Sequence, residues 1–424
     1  MSDINPLLTK RFTAPGPKRI LALDGGGIRG ALSLGYLQKI EEVLREKHKH
    51  LYQNPDDFRL CHYFDLIGGT STGAIIAAAL ATGEKAEKIT SLYKALGTEI
   101  FAQKKYKEFT INLGFWKRTL KLFTNYKYNS EPLQKNLEAI FKDSVLGDLK
   151  NKTGLCILSK RFDTFSTWPV TNNPNARYFS RNRFPLKKII RASTAAPTFF
   201  KPEVMDVGDG KISSFVDGGM SLMNNPAFQL FLIAAVKGYR IAGMDEATAE
   251  GKTWQTGKDN LLIVSVGTGR REKKLDAVKW TNPNLAKLAP QVSEQFMNDA
   301  NELVEAMMQF LGHCPDEHDY RDIDREIGSL KNDFLNEKKH FTYVRYNTEL
   351  IKNTIDKYKI EDIADDVIES LTEMDRSENV DVLIKIGSKI ATSEIKPGNF
   401  PDNFNIKELY DEEIQKRNGT GTGL

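Results

Sequence analysis

Twice before Thr82 the chain passes from a short apolar run through a glycine-rich turn into a helical pattern. Residues 19–23 lead into the turn 24–30, and the positions Leu32, Tyr36, Ile40, Val43 and Leu44 then recur at helical spacing. Residues 64–68 lead into the turn 69–73 and the alanine-rich run 74–81. Apolar strands without alternation are buried on both faces, and a helix that follows each one is the usual crossover to a parallel neighbour. Further buried-strand candidates are 154–158, 215–216 and 261–266, with helical patterns at 133–141, 185–192 and 226–236. This alternation predicts an α/β fold, a three-layer sandwich with a mostly parallel central sheet.

Several stretches depart from that rhythm. Residues 1–17, with Pro6, Pro15, Gly16 and Pro17, are expected to form an irregular arm. The main domain is expected over 18–350. Within it, the basic and aromatic stretch near 101–128 and the polar, charge-dense stretch near 270–340 are expected to be insertions or lids over the functional edge of the sheet. Residues 351–415 are expected to pack on the core as a helical segment, and the glycine-rich 416–424 to be a flexible tail.

Bulk properties narrow the function classes. With 60 basic against 56 acidic residues, net charge gives no general argument for nucleic acid, so no DNA or RNA duplex is expected as a partner. The scattered Cys61, Cys156 and Cys314 form no disulfide framework, and the N-terminus has no apolar leader, which together suit a reducing cytoplasm. The longest apolar runs, 75–81 and 228–236, fall well short of the roughly 18 residues of a membrane span. Any membrane contact is therefore expected at the surface.

Gly69, Thr70, Ser71, Thr72 and Gly73 spell GxSxG between an expected strand and an expected helix. Such a turn exposes and orients a serine hydroxyl as a nucleophile, and the helix N-terminus beyond it adds a favourable dipole. The bland alternative is a serine that merely caps the helix. The earlier turn, Asp24, Gly25, Gly26, Gly27, Ile28, Arg29 and Gly30, formally satisfies GxGxxG. A dinucleotide site also wants an acidic residue about 20 positions on, where this chain has Arg45, Lys47, His48, Lys49 and His50. No Gly-Lys-Ser/Thr follows for a phosphate-binding loop either. Consecutive glycines beside a nucleophile suit an oxyanion hole of backbone N–H groups, with a plain tight turn as the alternative.

A base is harder to find. His313, His318 and His340 lie in the polar stretch, and none follows a core strand. Asp217 directly follows the apolar pair Phe215 and Val216 and precedes Gly218 and Gly219, which puts a carboxylate at a strand end; an Asx turn is the alternative. The cluster His313, Cys314, Asp316, His318, Asp319 and Asp322 matches no defined ligand spacing, so no metal is expected. Trp116, Leu120 and Phe123 would share one face of a helix flanked by lysines, suited to packing as a lid or to meeting an anionic bilayer.

Taken in order, Asp24 to Gly30, Gly69 to Gly73 and Asp217, Gly218, Gly219 resemble the patatin family of phospholipases. Residues 192–200, Asn224, Asn225 and Pro226, and 265–269 resemble further family segments, with a weaker likeness at 343–347 and 374–386. The resemblance implies a Ser-Asp dyad in place of a triad, with Ser71 as nucleophile and Asp217 as general base. It implies Gly25, Gly26 and Gly27 as the oxyanion hole, with Asp24, Arg29, Gly30, Gly69, Gly73, Gly218 and Gly219 in support. The implied substrate is a fatty-acyl ester of membrane phospholipid, met at the inner face of the membrane, with no cofactor. The overall form also resembles patatin-type effectors of bacterial anti-phage signalling (CBASS-type), which a cyclic di- or trinucleotide switches on and which are expected to associate on activation. Arg270, Arg271 and Lys273 are candidate phosphate contacts in that reading. The alternatives are an ungated lipid-turnover esterase and a catalytically silent lipid or nucleotide binder.

Overall fold

The computed structural model describes residues 5–102, 126–236, 254–270, 285–315 and 338–409, apart from 149, 151, 177, 178 and 209, together with 320, 322, 323, 326–331 and 333. The basic aromatic segment 115–123, Arg271, Lys273, Asp316, His318, Asp319 and the expected tail lie outside the described residues.

Among the described residues, eight strands form one sheet: β1 (Lys18–Leu23), β2 (Leu66–Thr70), β3 (Gly154–Arg161), β4 (Thr167–Thr171), β5 (Glu203–Asp206), β6 (Ile212–Asp217), β7 (Leu261–Val266) and β8 (Thr342–Tyr346). Five of them run parallel in the order β3-β2-β1-β7-β8. β4 and β6 lie antiparallel to β3, and β5 pairs antiparallel with β6. The sheet is therefore mixed but mostly parallel.

Period-two alternation sends the side chains of each parallel strand to two separate cores. Leu21 and Leu23 of β1 join one core with Ile67, Leu262 and Val264, covered by the helices Gly30–His48, Thr72–Ala81, Leu186–Ser193 and Val380–Glu394. Ile20 and Ala22 join the other core with Leu66, Leu261 and Ile263, covered by Pro6–Thr13, Ala227–Ala235 and Leu285–Leu311. Helices thus flank both faces. Gly35 and Gly387 let two of these helices cross backbone to backbone: a Cβ on Gly387 would stand 2.3 Å from the Leu32 carbonyl, and one on Gly35 2.5 Å from the Ser388 nitrogen.

The structure corrects the expected irregular arm, because Pro6–Thr13 is a helix. Its start is well made: the Asn5 side chain accepts from the Leu7 and Leu8 amides, and Pro6 sits in the first turn, where its missing N–H costs nothing. Leu8 and Phe12 hold it on the second core, with Phe12 stacked on Trp254. Within the stretch read as an insertion near 270–340, Leu285–Leu311 buries Val304 and Met308 in that same core, so this part is a layer of the fold. Among the described residues, no helix is long and apolar enough to cross a membrane.

Candidate active site

The two glycine turns follow β1 and β2, which are neighbours, so both emerge at the same sheet edge. Outside the carboxyl ends of parallel strands is where open α/β sheets place their ligands. At the end of β2 the chain reverses abruptly into the helix Thr72–Ala81, and Ser71 takes φ 55° and ψ −125° to do so. A non-glycine residue in this region costs on the order of 1–3 kcal/mol and persists only where its surroundings hold it. The Ser71 N–H donates to Ser193 Oγ at 2.9 Å, and the Ser193 hydroxyl donates in turn to the Leu158 carbonyl. The Ser71 carbonyl accepts from the Ala74 amide at 2.9 Å.

Register explains how Asp217 reaches this turn. Thr70, the last residue of β2, pairs with Leu158 of β3, and the next β3 residue, Ser159, pairs with Asp217 of β6. Since β4 occupies the other side of both Leu158 and Ser159, β6 takes over the same edge of β3 where β2 leaves it. Asp217 therefore stands end to end with the Ser71 turn although 146 positions separate them in sequence. Ser71 Oγ donates to Asp217 Oδ2 at 2.5 Å, and the Gly219 amide donates to Oδ1 at 2.7 Å. Asp217 is only 5% exposed. Burial pushes its carboxyl up to about 6, against the opposing pull of the Ser71 hydroxyl, the Gly219 amide and the Arg191 charge. Among the described residues no histidine hydrogen-bonds either side chain.

The glycine turn after β1 is held by Asn224, Thr268 and Tyr93, from three other segments. Gly25 donates its amide to the Asn224 carbonyl at 3.1 Å, which removes it from the set of free donors and corrects the expectation that all three glycines offer theirs. The Gly25 carbonyl accepts from Thr268 Oγ1 at 3.0 Å and from Asn224 Nδ2 at 3.3 Å. In a trans peptide the C=O and the following N–H point in opposite directions, so these bonds aim the Gly26 amide. The Gly26 carbonyl accepts from the Arg29 amide at 3.2 Å and from its Nε at 3.4 Å, which aims the Gly27 amide in the same way. Among the described residues no acceptor stands on either amide. Gly27 has φ 58°, and Tyr93 donates its hydroxyl to the Gly27 carbonyl.

Asp24 has a different task. It pairs in two-pronged fashion with Arg345 of β8, at 2.9 and 2.6 Å, and Arg345 also donates to Ser265 Oγ at 2.7 Å. Burial raises the Asp24 carboxyl, opposed by the Arg345 charge and hydrogen bonds. This pair joins the ends of β1, β7 and β8 beneath the glycine turn. Gly218 backs the Leu158 carbonyl, where a Cβ would stand 2.4 Å away. In front of Ser71 lies an apolar pocket lined by Ile28, Ile75, Leu133, Phe199, Phe200 and Met374 among others. No group of three or more His, Cys, Asp or Glu side chains among the described residues converges as a metal site.

Residues 21–231 match the sequence model of the patatin-like phospholipases, and this span holds both turns, Ser71 and Asp217. The chain belongs to the patatin-like phospholipase family. A cGAMP-activated phospholipase of Vibrio cholerae is 32% identical over 211 residues, covering 50% of this chain and 56% of that protein. Another cGAMP-activated phospholipase, from Escherichia coli, is 32% identical over 231 residues, covering 54% of this chain and 57% of that protein. Patatin-like protein 1 of Arabidopsis thaliana is 29% identical over 280 residues, covering 61% of each. The chain thus spans little more than half the length of the two bacterial relatives it matches.

Within this patatin-like site, four positions have roles that sequence reasoning did not assign: Ser193, Asn224, Thr268 and Arg345. Each lies in a segment that resembled the family, but a hydrogen bond across 122 residues, as from Ser71 to Ser193, leaves no periodic trace. Arg345 had the clearest signal, a charge inside an otherwise uncharged strand whose five residues are all buried.

Proposed function

We propose that this chain is a lipid acyl hydrolase of the phospholipase A type, working through a Ser71–Asp217 dyad. The observation that carries the reading is the 2.5 Å hydrogen bond from Ser71 Oγ to a buried carboxylate, at the mouth of an apolar pocket. A general base is most effective when its pKa lies near the working pH, and a carboxyl pushed up to about 6 meets that need better than an ordinary aspartate. Ser71 Oγ bonds to the ester carbonyl carbon while its proton passes to Asp217 Oδ2. The negative charge moves to the carbonyl oxygen, where the Gly26 and Gly27 amides receive it. Collapse breaks the bond to the lysolipid alkoxide, which takes the proton back from Asp217. Water then attacks acyl-Ser71, giving a proton to Asp217, and releases the fatty acid as Ser71 recovers its own. The acyl chain occupies the pocket between Ile75 and Phe199.

The two bacterial relatives named as cGAMP-activated support a gated form of this activity, switched on by a cyclic oligonucleotide in anti-phage defence. In that reading the enzyme is cytoplasmic, reaches the inner face of the membrane from the surface, and associates with further copies on activation. Fatty-acid release from phospholipid vesicles, measured with and without cyclic GMP–AMP and other cyclic di- and trinucleotides, tests both parts. The expected result is release that depends on one such nucleotide and disappears in Ser71→Ala. Release unchanged in Ser71→Ala would remove the dyad, and equal release with and without every nucleotide would remove the gate.

A further inference from the structure

Two consecutive residues that the proposed chemistry leaves unused, Met374 and Asp375, touch opposite walls of the pocket. The Met374 carbonyl accepts from the Ile28 amide at 2.8 Å, and a Cβ on Gly27 would stand 2.3 Å from that same oxygen. Met374 thereby rests directly against the glycine turn. Asp375 faces the other way. Its Oδ2 accepts the Tyr128 hydroxyl at 2.6 Å and forms an ion pair with Lys127 Nζ, and its side chain is only 10% exposed.

Tyr128 and Lys127 are in turn fastened to the aromatic wall. The Lys127 amide donates to the Thr198 carbonyl at 2.8 Å and the Tyr128 amide to the Phe199 carbonyl at 3.0 Å. The Tyr128 ring stacks on Phe199 with centroids 6.0 Å apart and planes within 9°, and Lys127 Nζ sits 5.6 Å over the same Phe199 ring. Thr198 has φ 70°, a conformation an L residue holds only under constraint, and its carbonyl is one end of this attachment. Adjacent Cα atoms are about 3.8 Å apart across a trans peptide. A single dipeptide therefore links the glycine turn to Phe199, and Gly27 and Phe199 both line the pocket in front of Ser71.

We propose that Asp375 is a positioning residue for the acyl chain: through Tyr128 and Lys127 it holds Phe199 at a fixed distance from the glycine turn that Met374 supports. The proposal rests on the reading of this site as a lipid acyl hydrolase. A long acyl chain must contact that wall along its length, whereas an acetyl group reaches little beyond Ser71. Loss of a charge-assisted hydrogen bond that fixes a contact surface is expected to weaken long-chain recognition about ten-fold.

The test compares the full chain with Asp375→Ala, Asp375→Glu and Tyr128→Phe, in the presence of cyclic GMP–AMP. Hydrolysis of para-nitrophenyl acetate and palmitate gives one readout, and binding of cis-parinaric acid in a Ser71→Ala background, followed by fluorescence, gives a second that needs no turnover. In Asp375→Ala the palmitate kcat/KM is expected to fall about ten-fold, mainly through KM, with acetate within about two-fold. Parinarate Kd should rise by a similar factor. Asp375→Glu should recover most of the loss, and Tyr128→Phe, which keeps the ring stack, should fall between. Unchanged parinarate binding in Asp375→Ala overturns the proposal, as does an equal loss on both esters that tracks the folded fraction. Equal ester hydrolysis by wild type and Ser71→Ala would instead defeat the hydrolase reading, and the binding measurement would still decide the role of Asp375.

Discussion

Asp65, at the edge where β1 and β2 begin, and Asp217, at the edge where they end, are both buried carboxylates in opposite surroundings. Asp65 accepts from the Arg19 amide at 3.0 Å and from Arg19 Nε at 2.9 Å, and Arg11 Nη1 approaches at 3.5 Å. Its charge is matched on the spot by two guanidinium groups. Asp217 accepts one hydroxyl and one amide, and Arg191 acts on it only through its charge. The same residue type thus serves as a strut at one edge and is left under-compensated at the other. Paired burial makes a carboxylate inert, whereas burial without a touching cation makes it a better base.

The comparison is most directly broken by Asp217→Asn. With Asp217 as the proposed base, this change is expected to lower kcat about 10³-fold or more, since the proton acceptor is lost while the hydrogen-bond geometry is kept. It should also stabilise the protein. The folded state holds the Asp217 proton more tightly than the unfolded chain, so stability falls as pH rises between about 4 and 6, and the deficit persists above that. Asparagine removes a deficit on the order of 2–3 kcal/mol at pH 7, read by denaturant unfolding. In the wild type, kcat/KM should rise through about pH 6 and level off above it, because the ionised form is the proposed base. Lower stability in Asp217→Asn at pH 7 would show that the carboxylate is a strut like Asp65.

Asp65→Asn is the mirror experiment. It leaves Arg11 and Arg19 without their shared counter-charge and is expected to cost about 3–5 kcal/mol of stability. Activity per folded molecule should remain near wild type, measured by scaling rate to the folded fraction at moderate temperature. A smaller effect is expected from Ser193→Ala. It removes the acceptor that holds the Ser71 amide, and a loosened nucleophile turn should lower kcat about five- to ten-fold with KM little changed. A KM effect there would move Ser193 from the turn to the lipid.

Much of the fold was legible in advance for a physical reason. Residues 261–266 were expected as a strand and form β7 with the same bounds, because an apolar run with no alternation can only be buried on both faces. β4, β5 and β8 were not anticipated: β8 carries Arg345 amid its apolar residues, and β5 is four residues long with exposed Val204 and Asp206. The prolines of the first 17 residues look like breakers in sequence, although Pro6 in the first turn helps start a helix.

Read alone, the chain singles out the candidate reacting groups and the local turn and strand end that carry them. Ser71 lies in a five-residue turn and Asp217 at a strand end, and both signals are short-range, carried by neighbours within a few residues. The three-dimensional fold settles which glycine amides lack an acceptor among the described residues, since the fate of the Gly25 N–H depends on Asn224, 199 positions away. It also decided that Asp217 meets Ser71, through a β6 that continues the edge of β3 where β2 stops. Hydrogen-bond partners chosen by sheet register leave no mark on local composition, so the serine could be read from the sequence and its surroundings only from the fold.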